Sequence, residues 1–388
     1  MSRLAPAISI VLAAFALPAS AQDLIVVGND GKFVGLSGPI GSPRPAPNDS
    51  IVIIDASKSP PAIVKTVPGL NHSIQGPPQS VAITPDQRLA FVGAPTTFDF
   101  SAKREVPENS LQIVSLHGNA PLQTVDLGAQ PNGLSVDPAG KLLLAACIDG
   151  TVKVLAIQAG TAHLIKTIKV SDRRLSGISF THDGKAAIVA HRDEGGLSVL
   201  DVTGSDVTLS EDRVSTGVGP LDVEISSDGR YAVVGNIGMT TLAGVRGRLA
   251  GDADSFTLVD VSKRPFRAIQ HVTVPSAPEG VAISPDGRWI AVQSLDGSHL
   301  PPGNPRRKES GQVLLFALRN GKATLVNSVP GGAISQGIVF SRDGRRVFVN
   351  RNVERELAVY EIRGGRLSDT ILRIPMGMSS VSIASAPR

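Results

Sequence analysis

The chain has 388 residues, with 40 Gly, 28 Pro, four Met and one Cys, a balance that together with abundant Val and Ile favours short strands and turns over long helices. A single cysteine, Cys147, excludes an internal disulfide framework, so stability has to come from a core that a chain of this length can bury. The formal charge of +4 is carried by interspersed Lys, Arg, Asp and Glu with no basic stripe and few aromatics, which argues against nucleic acid as the partner.

At the N-terminus Arg3 precedes the apolar run ISIVLAAFALPA, and Ala19 to Ala21 read ASA. The run is shorter than the roughly 18–20 residues of a membrane helix. A signal peptide over residues 1–21, cleaved near Ala21, is therefore expected, leaving 22–388 as one domain delivered to the periplasm or secreted. No later run has the length of a membrane span.

The mature chain opens on a strand, LIVVGN from Leu24, followed by strand patterns SIVIIDAS from Ser50 and PAIVKTVPG from Pro61. A fourteen-residue unit then begins to recur: an alternating apolar run, an Asp-Gly type turn and a second apolar run. The copies read VAITPDQRLAFVGA from Val81, LSVDPAGKLLLAAC from Leu134, ISFTHDGKAAIVAH from Ile178, VEISSDGRYAVVGN from Val223, VAISPDGRWIAVQS from Val281 and IVFSRDGRRVFVNR from Ile338. Each predicted hairpin is followed by a third strand, such as TVKVLAIQ from Thr151 or SFTLVDVS from Ser255, and by a fourth leading to the next copy. The last copy is half a unit, VSIASAPR from Val381, whose missing half is the opening LIVVGN.

Four strands repeated about every 40–45 residues mark a β-propeller blade. The prediction is all-β: a seven-bladed β-propeller of four antiparallel strands per blade, with a closing blade shared by the two termini. A lone blade cannot bury both faces of its sheet, whereas a closed ring can. The SPDGR hairpin, a second strand ending as in YAVVGN and a third as in TLVDVS resemble the YVTN repeat. Nearly everything after Gln22 is similar to the bacterial YVTN or lactonase-like seven-bladed propellers. That resemblance implies the fold; for activity it admits lactonases, ligand-binding or scaffold proteins and companions of periplasmic redox systems.

The Asp-Gly turns lie on one face of such a ring and have a structural role, glycine supplying positive φ. Function is expected on the opposite face, where two rings of residues converge. Gln79, Asn132, Ser176, Leu221, Glu279, Gln336 and Ser379 begin the inner strands, and Asn29, Ala94, Cys147, His191, Asn236, Ser294 and Arg351 end the second strands. Glu279 and His191 are the candidate acid–base groups. Arg351 and Arg192 are candidate anion binders, with Asp193 and Glu354 as competing ion-pair partners. Asn236, Asn29, Gln79, Asn132 and Gln336 are the polar lining, and Cys147 reads as a buried small residue rather than a nucleophile.

Long insertions after the second strands, from Gly31, Pro95, Ile237 and Leu295, are expected as loops walling a cleft on this face. Arg104, Arg246, Arg248, Arg306 and Arg307 make the walls cationic, which fits a small anionic ligand or an acidic protein surface. Haem, zinc, phosphate-loop and dinucleotide signatures are absent, so no cofactor is predicted. The scattered histidines leave a divalent metal at the channel mouth as an open alternative. Two functions follow: ligand or partner binding on the loop face or, as the resemblance implies, lactone hydrolysis or isomerisation using Glu279 or His191 with Arg351.

Overall fold

A computed structural model describes residues 22–32, 49–74, 76–241, 249–251 and 253–387. The expected signal peptide, most of the first insertion, and Arg246 and Arg248 of the third lie outside the described residues. Within them no helix is long and apolar enough to cross a membrane.

Seven four-stranded antiparallel sheets form. Their innermost strands are Val81–Ile83 in blade 1, Pro131–Val136 in blade 2, Leu175–Phe180 in blade 3, Pro220–Ile225 in blade 4, Pro278–Ile283 in blade 5 and Ser335–Phe340 in blade 6. In blade 7 the C-terminal strand Ser379–Ser385 is innermost and pairs with Leu24–Asp30, which in turn pairs with Asp49–Asp55. The shared closing blade is thus present as the half-repeats at the two ends predict.

Alternation of side chains along each strand explains the ring. In the second strand of blade 3, Ala187 and Val189 pack towards blade 2. Ala186, Ile188 and Ala190 pack towards blade 4. Both faces of the sheet are apolar because each meets a neighbouring blade. The core accordingly falls into seven clusters, one between each pair of adjacent blades, the last joining blade 6 to blade 7 through Phe348, Val359, Ile25 and Val27. On the rim, the pairing of third with fourth strand is irregular in all seven blades. Such irregularity keeps exposed edges from recruiting another strand.

The Asp-Gly turns have the structural role expected of them. Asp228, Asp286 and Asp343 each accept a bond of 2.6 Å from the Ser hydroxyl two residues earlier. Thr181 donates likewise to Asp183 at 2.7 Å. Glycine adopts φ +65° at Gly287, whereas blade 1 places Gln87 there at φ 56°. Gln87 ties down the N-terminal strand: its Oε1 accepts from Leu24 N at 2.7 Å and its Nε2 donates to Gln22 O at 2.8 Å.

Two insertions expected as loops are β structure. Strands Leu89–Asp99 and Arg104–Ser115 run past blade 1 as a hairpin arm, with Asp99 opposite Arg104. In blade 4, Met239–Thr241 pairs with Leu249–Gly251. Thr and Phe in TTFDF suit an extended ladder, which satisfies backbone groups that a free loop would leave to water.

Candidate functional site at the channel mouth

The inner strands converge at their loop-face ends because small residues allow it. A Cβ on Gly133 would lie 2.4 Å from the Ser176 carbonyl, and one on Gly177 would lie 2.6 Å from the Leu221 carbonyl. Neighbouring blades are then stitched by side chains: Asn132 Nδ2 donates to Leu175 O at 2.8 Å, and Ser176 Oγ to Pro220 O at 2.7 Å. Gln79 reaches furthest. From blade 1 its Nε2 donates to Val223 O of blade 4 at 2.5 Å, while its Oε1 accepts from Ile178 N of blade 3 at 3.2 Å. It forms a bar across the axis.

Below that bar, at the Asp-Gly-turn end, lies a cavity of about 160 Å³ lined by Ser135, Ser179, His182, Glu224, Val339 and Ile383, among others. Gln79 and the closely approaching strands separate this cavity from the loop-face mouth.

Glu279, Arg192, Arg174 and Asp193 form the charged group on the loop-face side. Glu279 is half-buried at the start of the blade 5 inner strand. Burial pushes its carboxyl up to about 7, against the pull of the Arg192 guanidinium. Arg192, beyond the second strand of blade 3, is lowered to about 10 by burial and then by Arg174, with Glu279 and Asp193 opposing. Asp193 also pairs with Arg174, at 2.8 Å.

Asp222, which sequence inspection missed, is buried on the wall of the cavity and accepts from Val281 N at 2.8 Å. Burial raises it to about 7, and the Glu279 charge adds to the rise. Glu224 on the cavity wall was missed as well.

The other expected residues are held within single blades. His191 is buried, with Nε2 2.7 Å from Ser198 Oγ and 2.6 Å from Arg213 Nη1, and Nδ1 3.0 Å from Glu194. Ser198 and Arg213 belong to the third and fourth strands, so the imidazole looks along its own blade, and burial lowers its pKa. Arg351 is clasped by Glu356 at 2.5 Å and Glu354 at 2.8 Å. Asn236 donates to Thr257 Oγ1 at 2.9 Å and Ser255 Oγ at 3.2 Å, and Asn29 to Ser50 Oγ at 3.5 Å. Gln336 is buried at the start of the blade 6 inner strand. Burial raises the Cys147 thiol to about 12, which keeps it protonated. No group of three or more His, Cys, Asp or Glu suited to a metal occurs among the described residues.

No protein-family model matches the chain, and no curated protein matches it. Solved structures do. The periplasmic gluconolactonase of Pseudomonas aeruginosa is 17% identical with a TM-score of 0.66, over 94% of this chain and 99% of that one. A candidate 6-phosphogluconolactonase from Bacteroides fragilis is 15% identical with a TM-score of 0.69, over 95% and 99%. Hydrazine synthase of Kuenenia stuttgartiensis is 20% identical with a TM-score of 0.62, over 81% and 91%. At such identities the likeness is one of architecture: the chain has the seven-bladed propeller fold found in the lactonase-like propellers.

Proposed function

We propose that the chain is an exported propeller that binds a small anionic ligand at the loop-face mouth of its axial channel, with Arg192 as the anion-holding side chain. The supporting observation is electrostatic. Burial and Arg174 together disfavour the Arg192 cation more than Glu279 and Asp193 support it. An arriving carboxylate or phosphate adds further negative charge beside the cation and matches the guanidinium fork. The test is calorimetric titration with gluconate and 6-phosphogluconate. Saturable binding weakened about tenfold or more in Arg192→Ala supports the reading; no binding, or binding unchanged in that variant, overturns it.

A second reading, lactone hydrolysis, is favoured by Glu279. A carboxyl with pKa about 7 is matched to general-base work at neutral pH. Its carboxylate would take a proton from the attacking water as the hydroxyl adds to the lactone carbonyl. The ring C–O bond then breaks, its oxygen takes back the proton held by Glu279, and the new carboxylic acid loses its proton to water and lies as a carboxylate against Arg192. Two solved neighbours are described as a gluconolactonase and a candidate 6-phosphogluconolactonase, and lactone opening yields the same class of anion that the first reading binds. Turnover of gluconolactone above the spontaneous rate, lost in Glu279→Gln with folding retained, would establish it; a rate unchanged by that substitution would remove it.

A further inference from the structure

The seam between blade 6 and blade 7 carries an unusual set of buried polar atoms. Asn350 is the penultimate residue of the second strand of blade 6, Arg346–Arg351, and Asn352 follows directly after that strand. Both are at most 1% exposed. Their amide nitrogens point at the closing strand, Asn350 Nδ2 donating to Ser382 O at 2.9 Å and Asn352 Nδ2 to Ser380 O at 3.4 Å. Because each acceptor is a backbone carbonyl, the amide orientation is decided: the nitrogen faces the strand and the oxygen faces away from it.

Both of those oxygens, Asn350 Oδ1 and Asn352 Oδ1, are buried without a hydrogen-bond partner. So are Ser380 Oγ and Asn29 Oδ1. Ser380 and Asn29 are cross-strand partners in blade 7, so their side chains share a face. Asn352 reaches Ser380 from the neighbouring blade. The seam thus carries four orphaned atoms, three of them amide oxygens that can only accept and the fourth a hydroxyl that also accepts. Leaving one such atom unsatisfied costs about 1–3 kcal/mol, so native structures seldom tolerate a group of them.

We propose that this seam binds a small monovalent cation, of the size of sodium or potassium, through Asn29, Asn350, Asn352 and Ser380. Neutral oxygen donors of hard character suit an alkali cation, which satisfies acceptors without needing any donor in return. A divalent ion would call for carboxylates in its shell, and none belongs to this set. Buried water, which would donate to the same acceptors, is the competing occupant. The occupied site fastens the C-terminal strand to blade 6, at the point where the ring closes.

Thermal unfolding of the full mature chain at fixed ionic strength, in sodium, potassium or N-methylglucamine chloride, tests the proposal. The expected result is a Tm higher by about 2–4 °C in one alkali salt than in the bulky organic one. That difference should vanish in Asn352→Ala even if the variant is less stable overall. Rubidium-soaked crystals supply a second readout, an anomalous peak within reach of the four oxygens. A Tm indifferent to the cation together with no anomalous peak overturns the proposal in favour of buried water. A cation effect that persists in Asn352→Ala also overturns it, because the ion then sits elsewhere.

Discussion

Asp222 stands where blades 2, 3, 5 and 6 carry Gly133, Gly177, Gly280 and Gly337. An acid in a column of glycines was the signal that could have found it, and Glu224, in a column of Ala82, Ser135, Ser179, Ala282 and Val339, gave the same signal. Asp222 and Glu279 are both raised to about 7 by burial. Carboxyls raised in the folded state hold protons that the unfolded chain releases at their ordinary values near 4, so their contribution to stability declines from about pH 4 to pH 7 and is level above. Each contributes at most about 1.4 kcal/mol per pH unit across that window. Urea unfolding of Asp222→Asn, which keeps an oxygen for Val281 N, should therefore show a shallower fall in stability between pH 5 and 7 than the parent; an equal slope would show that Asp222 is not the titrating group. His191 is engaged with Ser198, Glu194 and Arg213. Replacing it with Ala should cost about 1–3 kcal/mol in the same measurement while leaving gluconate affinity unchanged.

At the scale of the strand, closure rests on a few contacts around the C-terminus. His72 Nε2 lies 2.9 Å from Ser382 Oγ, and burial holds the imidazole down to about 4, so it serves as a neutral hydrogen-bonding group. A Cβ on Gly28 would meet both of those atoms at 2.3 Å, which explains why the first strand carries glycine there. Truncation after Met378 removes the innermost strand of blade 7, Ile383 included, and exposes Ile25, Val27 and Phe348 of the cluster it packs in. The shortened chain should lose its cooperative thermal transition and bind a hydrophobic dye, as an opened ring exposes apolar sheet faces. Gly133→Ala tests convergence at the channel mouth: its Cβ meets the Ser176 backbone, which cannot swing aside, so a loss of about 1–3 kcal/mol is expected in chemical unfolding.

Across the whole molecule, the Gln79 bar separates a charged mouth on one face from a polar cavity on the other. An anion seated on Arg192 opposes ionisation of Glu279 and raises its pKa above the unliganded value of about 7. Binding then takes up protons, so affinity is greatest below pH 7 and declines as pH rises beyond it. Calorimetry of gluconate binding at pH 6 and 8 should show tighter binding at pH 6, and Glu279→Gln should flatten the difference. A pH-independent affinity in the parent would disconnect the anion from Glu279.

The architecture was legible in the residues themselves. Period-two apolar runs, turn chemistry at a constant offset and a half-repeat at each end determined the strands, the number of blades and their closure, since each of these follows from local spacing. Glu279 and Arg192 could be nominated because their repeat positions are known from the same alignment. What only the tertiary structure decided is which side chains share a volume. Gln79 crosses the axis because glycines in other blades let the strands converge; Arg174 pairs with Asp193; His191 and Arg351 are engaged by neighbours on their own blades. Those outcomes depend on the angle at which seven sheets meet, and closure of the ring sets that angle as a property of the whole chain rather than of any one repeat.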